Sequence, residues 1–149
     1  MSAEAKAKYR GTVLQVAVPS PLRRVFDYLP ASSNEALPEP QVGIRVKVSF
    51  GRQQLVGIVV AITNSSSLEK KKLKPILASL DSEPLLNDAL FKVLLWAANY
   101  YQHPLGEVFA TALPAKLRNG IPLRENNKFW TASEVSASEA SSLSRAVKQ

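Results

Sequence analysis

Residues 45–63 read RVKVSFGRQQLVGIVVAIT, and this stretch decides the fold. Apolar and polar residues alternate over its first third, which predicts a half-buried strand whose outer face carries Arg45 and Lys47. The polar run Gly51-Arg52-Gln53-Gln54 predicts a tight turn, and the near-continuous apolar run after it predicts a second strand. The two strands together predict a β-hairpin, in which Gly57 marks a bulge or a sharp bend.

Shorter strand-like runs lie on both sides of this hairpin. Strands are predicted over Thr12–Val18, Val25–Leu29 and Pro75–Leu80. The segments between them are rich in proline, glycine and serine, which are typical of turns and loops. Several short strands at this spacing predict a small β-barrel.

The sequence pattern changes to that of helices after residue 80. Asn87 is a predicted N-cap for a helix that runs to Tyr101. Because this helix is apolar on nearly every side, we expect it to be buried, with its aromatic residues in the core. Shorter helices are predicted at 106–112 and 114–119. The predicted fold class is therefore α+β, with a small, mostly antiparallel β-barrel-like domain followed by packed C-terminal helices.

The net charge of +7 is confined to one half of the chain. Residues 1–74 hold twelve Lys or Arg against five Asp or Glu, whereas residues 75–149 hold seven of each. A basic half beside a neutral half favours a surface that faces a polyanion such as nucleic acid. The alternative is a charge that only keeps the protein in solution.

Several classes of site are excluded by composition and by missing motifs. The chain has no cysteine and one histidine, His103, so it offers neither a disulfide framework nor a multi-histidine metal site. Neither a secretory signal nor a membrane-spanning run is found, so we expect a cytoplasmic protein. The glycine-rich phosphate loops are absent, and no catalytic set can be assembled, so no enzymatic activity is predicted for this chain.

One carboxylate lies between two aromatic rings in residues 23–30, RRVFDYLP. In a strand, Phe26 and Tyr28 point to one face and Asp27 to the other. Aspartate is depleted from strands, and a buried carboxylate is costly unless it is paired, so Asp27 needs a partner. It is either satisfied by a local salt bridge or turn cap, or it is a specific acceptor at the rim of a ligand pocket.

The order of short motifs resembles the N-terminal region of the PriA family, the bacterial replication-restart helicases also called primosomal protein N′. The resemblance covers about residues 12–120, and it depends on the order and spacing of the motifs together. The motifs are Val16-Ala17-Val18-Pro19, Phe26-Asp27-Tyr28, Gly43-Ile44-Arg45-Val46-Lys47-Val48, Phe50-Gly51-Arg52, Gly57-Ile58-Val59-Val60, Leu80-Asp81, Pro84, Trp96-Ala97-Ala98, Tyr100-Tyr101 and Gly106.

The resemblance implies a domain that captures the 3′ end of the nascent leading strand at a stalled replication fork. It implies that Asp27 accepts a hydrogen bond from the terminal 3′-OH. Phe26 and Gly51 would line the nucleotide pocket, and Lys74 would close it. The full predicted nucleic-acid-binding set is Phe26, Asp27, Tyr28, Arg45, Lys47, Gly51, Arg52, Lys70, Lys71, Lys72 and Lys74.

The resemblance also implies how the chain is organised and which molecules it binds. Residues 121–149 would be a linker and the start of a truncated winged-helix domain. The polar, charged composition of residues 1–11, and not the resemblance, predicts a disordered basic N-terminus, and the chain departs from the family at this end and in its serine-rich C-terminus. ATP, Mg²⁺ and Zn²⁺ are expected only in the helicase portion of the family. The expected partner is branched DNA with a free 3′-OH end, bound by a monomer away from membranes. Single-strand-binding protein and other primosome proteins are further candidate partners.

Two other functions fit the same residues. A generic single-stranded DNA or RNA-binding barrel would use charge and stacking, and it would respond only to length and salt. A protein-interaction domain would place its basic face against an acidic partner, and it would not bind DNA at moderate salt. Comparing the binding of DNA with 3′-OH ends and DNA with 3′-phosphate ends separates the hypothesis of 3′-end capture from both alternatives.

Overall fold

The hairpin predicted from residues 45–63 forms, and its second strand is longer than the pattern indicated. A computed structural model describes residues 8–31 and 40–123. In chain order the elements are β1 (Tyr9–Ala17), β2 (Phe26–Leu29), β3 (Arg45–Phe50), β4 (Gln53–Ser66), a 3-10 turn (Lys70–Lys72), β5 (Lys74–Pro75), β6 (Ala78–Ser79), α1 (Asp88–Tyr100), α2 (Leu105–Ala112) and α3 (Ala115–Arg118).

The strands form one curled sheet in the order β5-β2-β1-β4-β3-β6. All neighbours are antiparallel except β2 and β5, which are parallel. The segment that carries β5 and β6 reaches both edges of the sheet, because Ile76 N–H donates to Leu29 O at 2.9 Å and Leu77 N–H donates to Lys47 O at 2.8 Å. The sheet therefore curls into a half-barrel, and the predicted α+β class is confirmed.

Strand β1 begins earlier than predicted. Tyr9 lies opposite Ser66 and Arg10 opposite Ser65, so both strands extend into sequence that was assigned to a terminus or a loop. The reason is that backbone pairing satisfies polar residues as well as apolar ones, and side-chain polarity does not reveal a pairing partner. Of the N-terminus predicted to be disordered, residues 1–11, residues 9–11 lie in β1 and residues 1–7 lie outside the described residues. Of the predicted linker and winged-helix start, 121–149, residues 124–149 also lie outside them.

The apolar side chains form two clusters. The first fills the inside of the curled sheet and consists of Leu14, Val16, Val18, Tyr28, Ile44, Val46, Val48, Val59 and Ile76. The second lies between the sheet and the helices and consists of Ala17, Ile58, Phe109 and Leu113. Helix α2 approaches the sheet closely, since a Cβ added to Gly106 would lie 1.9 Å from Val18 O. Glycine at this position permits that contact.

Helix α1 begins as predicted. The side chain of Asn87 accepts a hydrogen bond from Leu90 N–H at 2.8 Å, which confirms the predicted N-cap. The shorter helices also form, and Gly120 follows α3 with a φ of 80°, as a C′ glycine does.

The prediction that α1 is buried with its aromatic residues in the core is wrong. Within this helix only Ala98 is buried, while Trp96 is 57%, Tyr100 65% and Tyr101 69% exposed. The side of α1 that packs on the second cluster carries Phe91, Leu94 and Leu95. The outer aromatic residues stack on one another instead, with 5.0 Å between the Trp96 and Tyr100 ring centroids. We call Trp96, Tyr100 and Tyr101 the aromatic face.

Candidate nucleic-acid interface

Asp27 lies in β2, opposite Gln15 of β1. Its neighbours Phe26 and Tyr28 pack into the first cluster, so its carboxylate lies on the other face of the strand. Ser66 Oγ donates a hydrogen bond to Asp27 Oδ2 at 2.5 Å. Among the described residues, Asp27 Oδ1 has no protein donor. Asp27 is partly exposed, and of its two oxygens only Oδ2 has a donor in that part of the chain.

The ring of Phe26 belongs to the residue next to Asp27 in β2 and lies on the opposite face of that strand. Its edge meets the ring of Phe50, with 4.9 Å between centroids and 78° between planes. The guanidinium carbon of Arg24 lies 4.9 Å from the Phe26 centroid, within the range of a cation–π interaction. An aromatic surface with a cation over it is suited to a nucleotide, whose base can stack and whose phosphate is anionic.

The turn of the β3–β4 hairpin provides open space. Gly51 is the first of the two residues between the paired Phe50 and Gln53, and its φ is 59°. A positive φ at this position is what a type II′ turn requires, and glycine adopts it without strain. A Cβ added to Gly51 would meet no atom within 4 Å, so the turn is open to an approaching ligand. Arg52 is exposed beside it.

The lysines of the 70–74 segment are exposed, and the segment ends in β5, which pairs with β2. Lys70–Lys72 form a single 3-10 turn with no buried residue. Lys71 Nζ lies 3.0 Å from Glu69 Oε2, so one of these charges is partly balanced. Lys74 follows in β5, opposite Tyr28 in the parallel pairing with β2.

Two contacts bring the predicted pocket residues together. The ring contact between the phenylalanines joins the residues that immediately precede Asp27 and Gly51. The register of β5 on β2 places Lys74 opposite the residue that follows Asp27. The register thus places Lys74 beside the strand that carries Asp27, and the ring contact places the β3–β4 turn near that same strand.

The prediction that Arg45 contacts DNA is corrected by the structure. Its side chain is 0% exposed and forms a salt bridge to Asp81, with 2.6 Å between Nη2 and Oδ1. Its Nη1 donates to Leu117 O at 2.8 Å and to Ile121 O at 3.0 Å. Every charged donor is directed into the protein, so Arg45 connects α3 and the residues after it to the sheet.

Tyr28 is also a core residue rather than a DNA contact. It is 5% exposed, and its hydroxyl donates to Ser49 O at 3.0 Å. Burial raises the pKa of this hydroxyl, so it remains a neutral donor near pH 7. The bond connects β2 to β3 across the curled sheet. Lys47 is half-buried in the middle of β3, and no described contact links its side chain to Asp27.

Sequence reasoning missed three features of this region. Ser66 contacts Asp27 from 39 positions away, and no local pattern indicates such a pair. Arg24 could have been included in the predicted binding set, because it lies only two residues before Phe26, whose ring it covers. Lys8 and Arg10 are exposed at the start of β1, and Lys8 N–H donates to Ser66 O at 2.9 Å. These two cations therefore lie on the strand end that pairs with Ser66.

Two searches of the described residues were negative. Over 8–31 and 40–123, His, Asp and Glu side chains do not gather in groups of three that could hold a metal ion. Nor does any helix in that part of the chain have the length and apolar character to cross a bilayer.

A family model confirms the kind of domain that this geometry suggests. The model of the 3′DNA-binding domain (3′BD) of PriA matches residues 15–114, which is more than half of the chain. The chain is thus a DNA-binding domain. It belongs to the PriA 3′DNA-binding domain family.

Curated relatives carry the same family name over most of this chain. Replication restart protein PriA of Haemophilus influenzae is 41% identical over 140 residues, which is 92% of this chain and 19% of the relative. The protein of that name from Chlamydia pneumoniae is 32% identical over 112 residues, covering 75% of this chain and 14% of the relative. The one from Buchnera aphidicola subsp. Schizaphis graminum is 30% identical over 117 residues, covering 78% and 16%. The chain spans less than a fifth of the length of these relatives.

Proposed function

We propose that this domain captures the free 3′-OH end of the nascent leading strand at a stalled replication fork, and that Asp27 accepts the terminal hydroxyl. The observation that carries the proposal is the partly exposed carboxylate, whose Oδ2 is bonded to Ser66 while no described residue donates to Oδ1. An ionised carboxylate can accept from a hydroxyl, but it repels a phosphate. It therefore favours an end that carries a 3′-OH over a 3′-phosphate or a continuing strand.

The neighbouring residues fit the remaining parts of a terminal nucleotide. Phe26 offers a ring surface, Gly51 leaves room for close approach, and Lys74 adds a cation beside β2. Arg52 and the 70–72 turn are exposed and can attract backbone phosphates without regard to sequence. Recognition of this kind needs no base code, which suits forks that arise at any sequence.

A protein partner is proposed for a different surface. Three adjacent aromatic residues with more than half of their area exposed are uncommon on a free protein surface, and they are typical of interface anchors. We infer that the aromatic face of α1 contacts a protein, for which single-strand-binding protein or another primosome protein is the candidate. Helicase activity, with ATP, Mg²⁺ and Zn²⁺, is likewise proposed only for a longer protein of the family.

The proposed function is tested by Asp27→Ala on two kinds of end. Fork DNA carrying a 3′-OH or a 3′-phosphate is titrated with each variant, and the ratio of the two Kd values is compared. A hydrogen bond to a charged acceptor contributes about 1.5–3 kcal/mol, so the loss should reduce the preference for 3′-OH by roughly 10- to 150-fold. Binding that depends only on phosphates should persist, since the lysines are unchanged.

Matched variants separate a role in recognition from a role in folding. Asp88→Ala removes an exposed acid from the first turn of α1 and should leave the ratio unchanged. Asp27→Asn can still accept a hydrogen bond but repels a 3′-phosphate less, so its ratio should be intermediate. A folded Asp27→Ala protein that prefers 3′-OH ends as strongly as the parent would rule out Asp27 as the acceptor. A parent protein without any preference for 3′-OH ends would instead favour the generic barrel hypothesis.

A further inference from the structure

A buried serine supplies the hydrogen bond that orients Asp27. Ser66 is the last residue of β4 and is 4% exposed. Its Oγ lies 2.5 Å from Asp27 Oδ2. Because an ionised carboxylate can only accept, the hydroxyl hydrogen of Ser66 must lie on this bond. The contact therefore has a defined direction, with Ser66 as donor and Asp27 as acceptor.

Ser66 is itself held in place by backbone groups on two sides. Leu68 N–H donates to Ser66 Oγ at 3.0 Å, which fixes the hydroxyl oxygen. Lys8 N–H donates to Ser66 O at 2.9 Å, and Tyr9 lies opposite Ser66 in the β1–β4 pairing. The donor thus belongs to the sheet and not to a freely rotating surface side chain.

We propose that Ser66 is a positioning residue for 3′-end recognition, which fixes Oδ2 of Asp27 so that Oδ1 faces the terminal hydroxyl. The proposal rests on the proposed function of Asp27. The terminal torsion of an aspartate side chain is broad, so an unrestrained carboxylate would sample many orientations. One short hydrogen bond from a buried donor restricts that torsion before the ligand arrives, which is how binding sites gain preorganisation.

The opposite role for Ser66 is competition with the ligand. A serine hydroxyl is chemically similar to a 3′-OH, and it could occupy the acceptor that the DNA needs. A carboxylate, however, offers about four lone-pair positions on two oxygens. Asp27 can therefore accept from Ser66 and from a 3′-OH together, and the two roles predict opposite effects of removing the serine hydroxyl.

The test compares Ser66→Ala, Ser66→Thr and the matched control Ser67→Ala on fork DNA with 3′-OH and 3′-phosphate ends. Ser66→Ala should reduce the ratio of the two Kd values by about 3- to 10-fold, since one charge-assisted hydrogen bond that orients the acceptor is lost. Ser66→Thr keeps a hydroxyl and should preserve most of the ratio. Ser67 is an exposed neighbour, so Ser67→Ala should not change it.

A double-mutant cycle shows whether Ser66 acts through Asp27. In an Asp27→Ala background, Ser66→Ala should cause no further change in the ratio, whereas a direct contact to DNA would add to it. Thermal melting accompanies each titration, and Ser66→Cys, a weak donor of similar size, replaces Ser66→Ala if that variant does not fold. A loss of ratio in Ser66→Cys would again support the proposal.

The possible failures are distinguishable. A parent protein without any preference for 3′-OH ends contradicts the proposed function, and the role of Ser66 falls with it. A parent with that preference, retained in full by folded Ser66→Ala or Ser66→Cys, overturns the positioning role alone. Tighter binding of 3′-OH ends by Ser66→Ala would show competition and would also overturn it.

Discussion

Removing the carboxylate of Asp81 should destabilise the domain strongly, because it leaves a buried guanidinium without its counter-ion. The Arg45 side chain is 0% and the Asp81 side chain 8% exposed. Asp81 accepts from Arg45 Nε at 2.9 Å, from Nη2 at 2.6 Å and from the Arg45 backbone N–H at 3.0 Å. Asp81→Ala would eliminate all three bonds.

The expected loss of unfolding free energy follows from the hydrogen bonds that Arg45 would keep in Asp81→Ala. Breaking a buried ion pair by removing one partner costs about 3–5 kcal/mol. Arg45 would keep its bonds to Leu117 O and Ile121 O, so a value near the lower limit is expected. Since small domains are stable by only about 5–15 kcal/mol in total, this is a large fraction. The melting temperature should fall on the order of 10–20 °C.

Thermal and urea unfolding of Asp81→Ala and the parent measure this loss. The control is Glu69→Ala, which breaks the exposed pair with Lys71 and should change stability little. The double variant Arg45→Met, Asp81→Leu should recover part of the loss, because an apolar pair needs no desolvation of charge. If Asp81→Ala melts within a few degrees of the parent, the assignment of Arg45 to a buried anchor is refuted.

The remaining predictions concern the helices and the surface charge. Phe109→Ala should cost about 3–5 kcal/mol of unfolding free energy, since Phe109 is 1% exposed, whereas Trp96→Ala should barely change the melting temperature. Trp96→Ala should instead weaken calorimetric binding of purified single-strand-binding protein; unchanged binding would argue against the aromatic face as a docking surface. Affinity for DNA should fall by roughly 0.7–0.9 log units per log unit of salt for each phosphate contact, and alanine at Lys70–Lys72 should flatten that slope. A salt-independent parent would contradict the electrostatic part of the mechanism.

Local signals in the sequence were sufficient for the elements themselves. The alternation over residues 45–50 and the glycine at position 51 predicted the hairpin, because both report on the chain within a few residues. The Asn87 cap was predictable for the same reason, since its bond reaches only three residues to Leu90. The pairing of Tyr9 and Arg10, the residues of β1 before Gly11, with the end of β4 could not be predicted, because a backbone hydrogen bond is independent of side-chain type.

The direction of Arg45 could be predicted from alternation, but its environment could not. It does point away from the first cluster, as a residue out of phase with Val46 and Val48 must. What covers that side is Asp81, 36 positions away, and Leu117, 72 positions away. Alternation describes one strand, so it cannot distinguish an outer face in water from one under a helix.

The prediction that α1 is buried was wrong for a related reason. A helix that is apolar all round predicts cover on every side, but the described part of the chain covers only the side facing α2 and the sheet. The remaining side carries the aromatic face. An apolar surface in the sequence therefore indicates that contact is favourable there, and it does not indicate which molecule provides the contact.

The proposed end site lies on the elements that close the sheet, and this has a consequence for its selectivity. Lys74 belongs to the segment that connects the β2 edge to the β3 edge, and Asp27 lies in the strand that this segment joins. Backbone pairing between β2 and β5 therefore joins the strands that carry these two residues. Under the proposed function, exposed cations provide attraction for any DNA, and the single acid rejects every terminus that cannot donate a hydrogen bond. Since Asp27 and Lys74 lie on paired strands of one curled sheet, the proposed function requires the acceptor and at least one of the cations to be held by the same part of the fold.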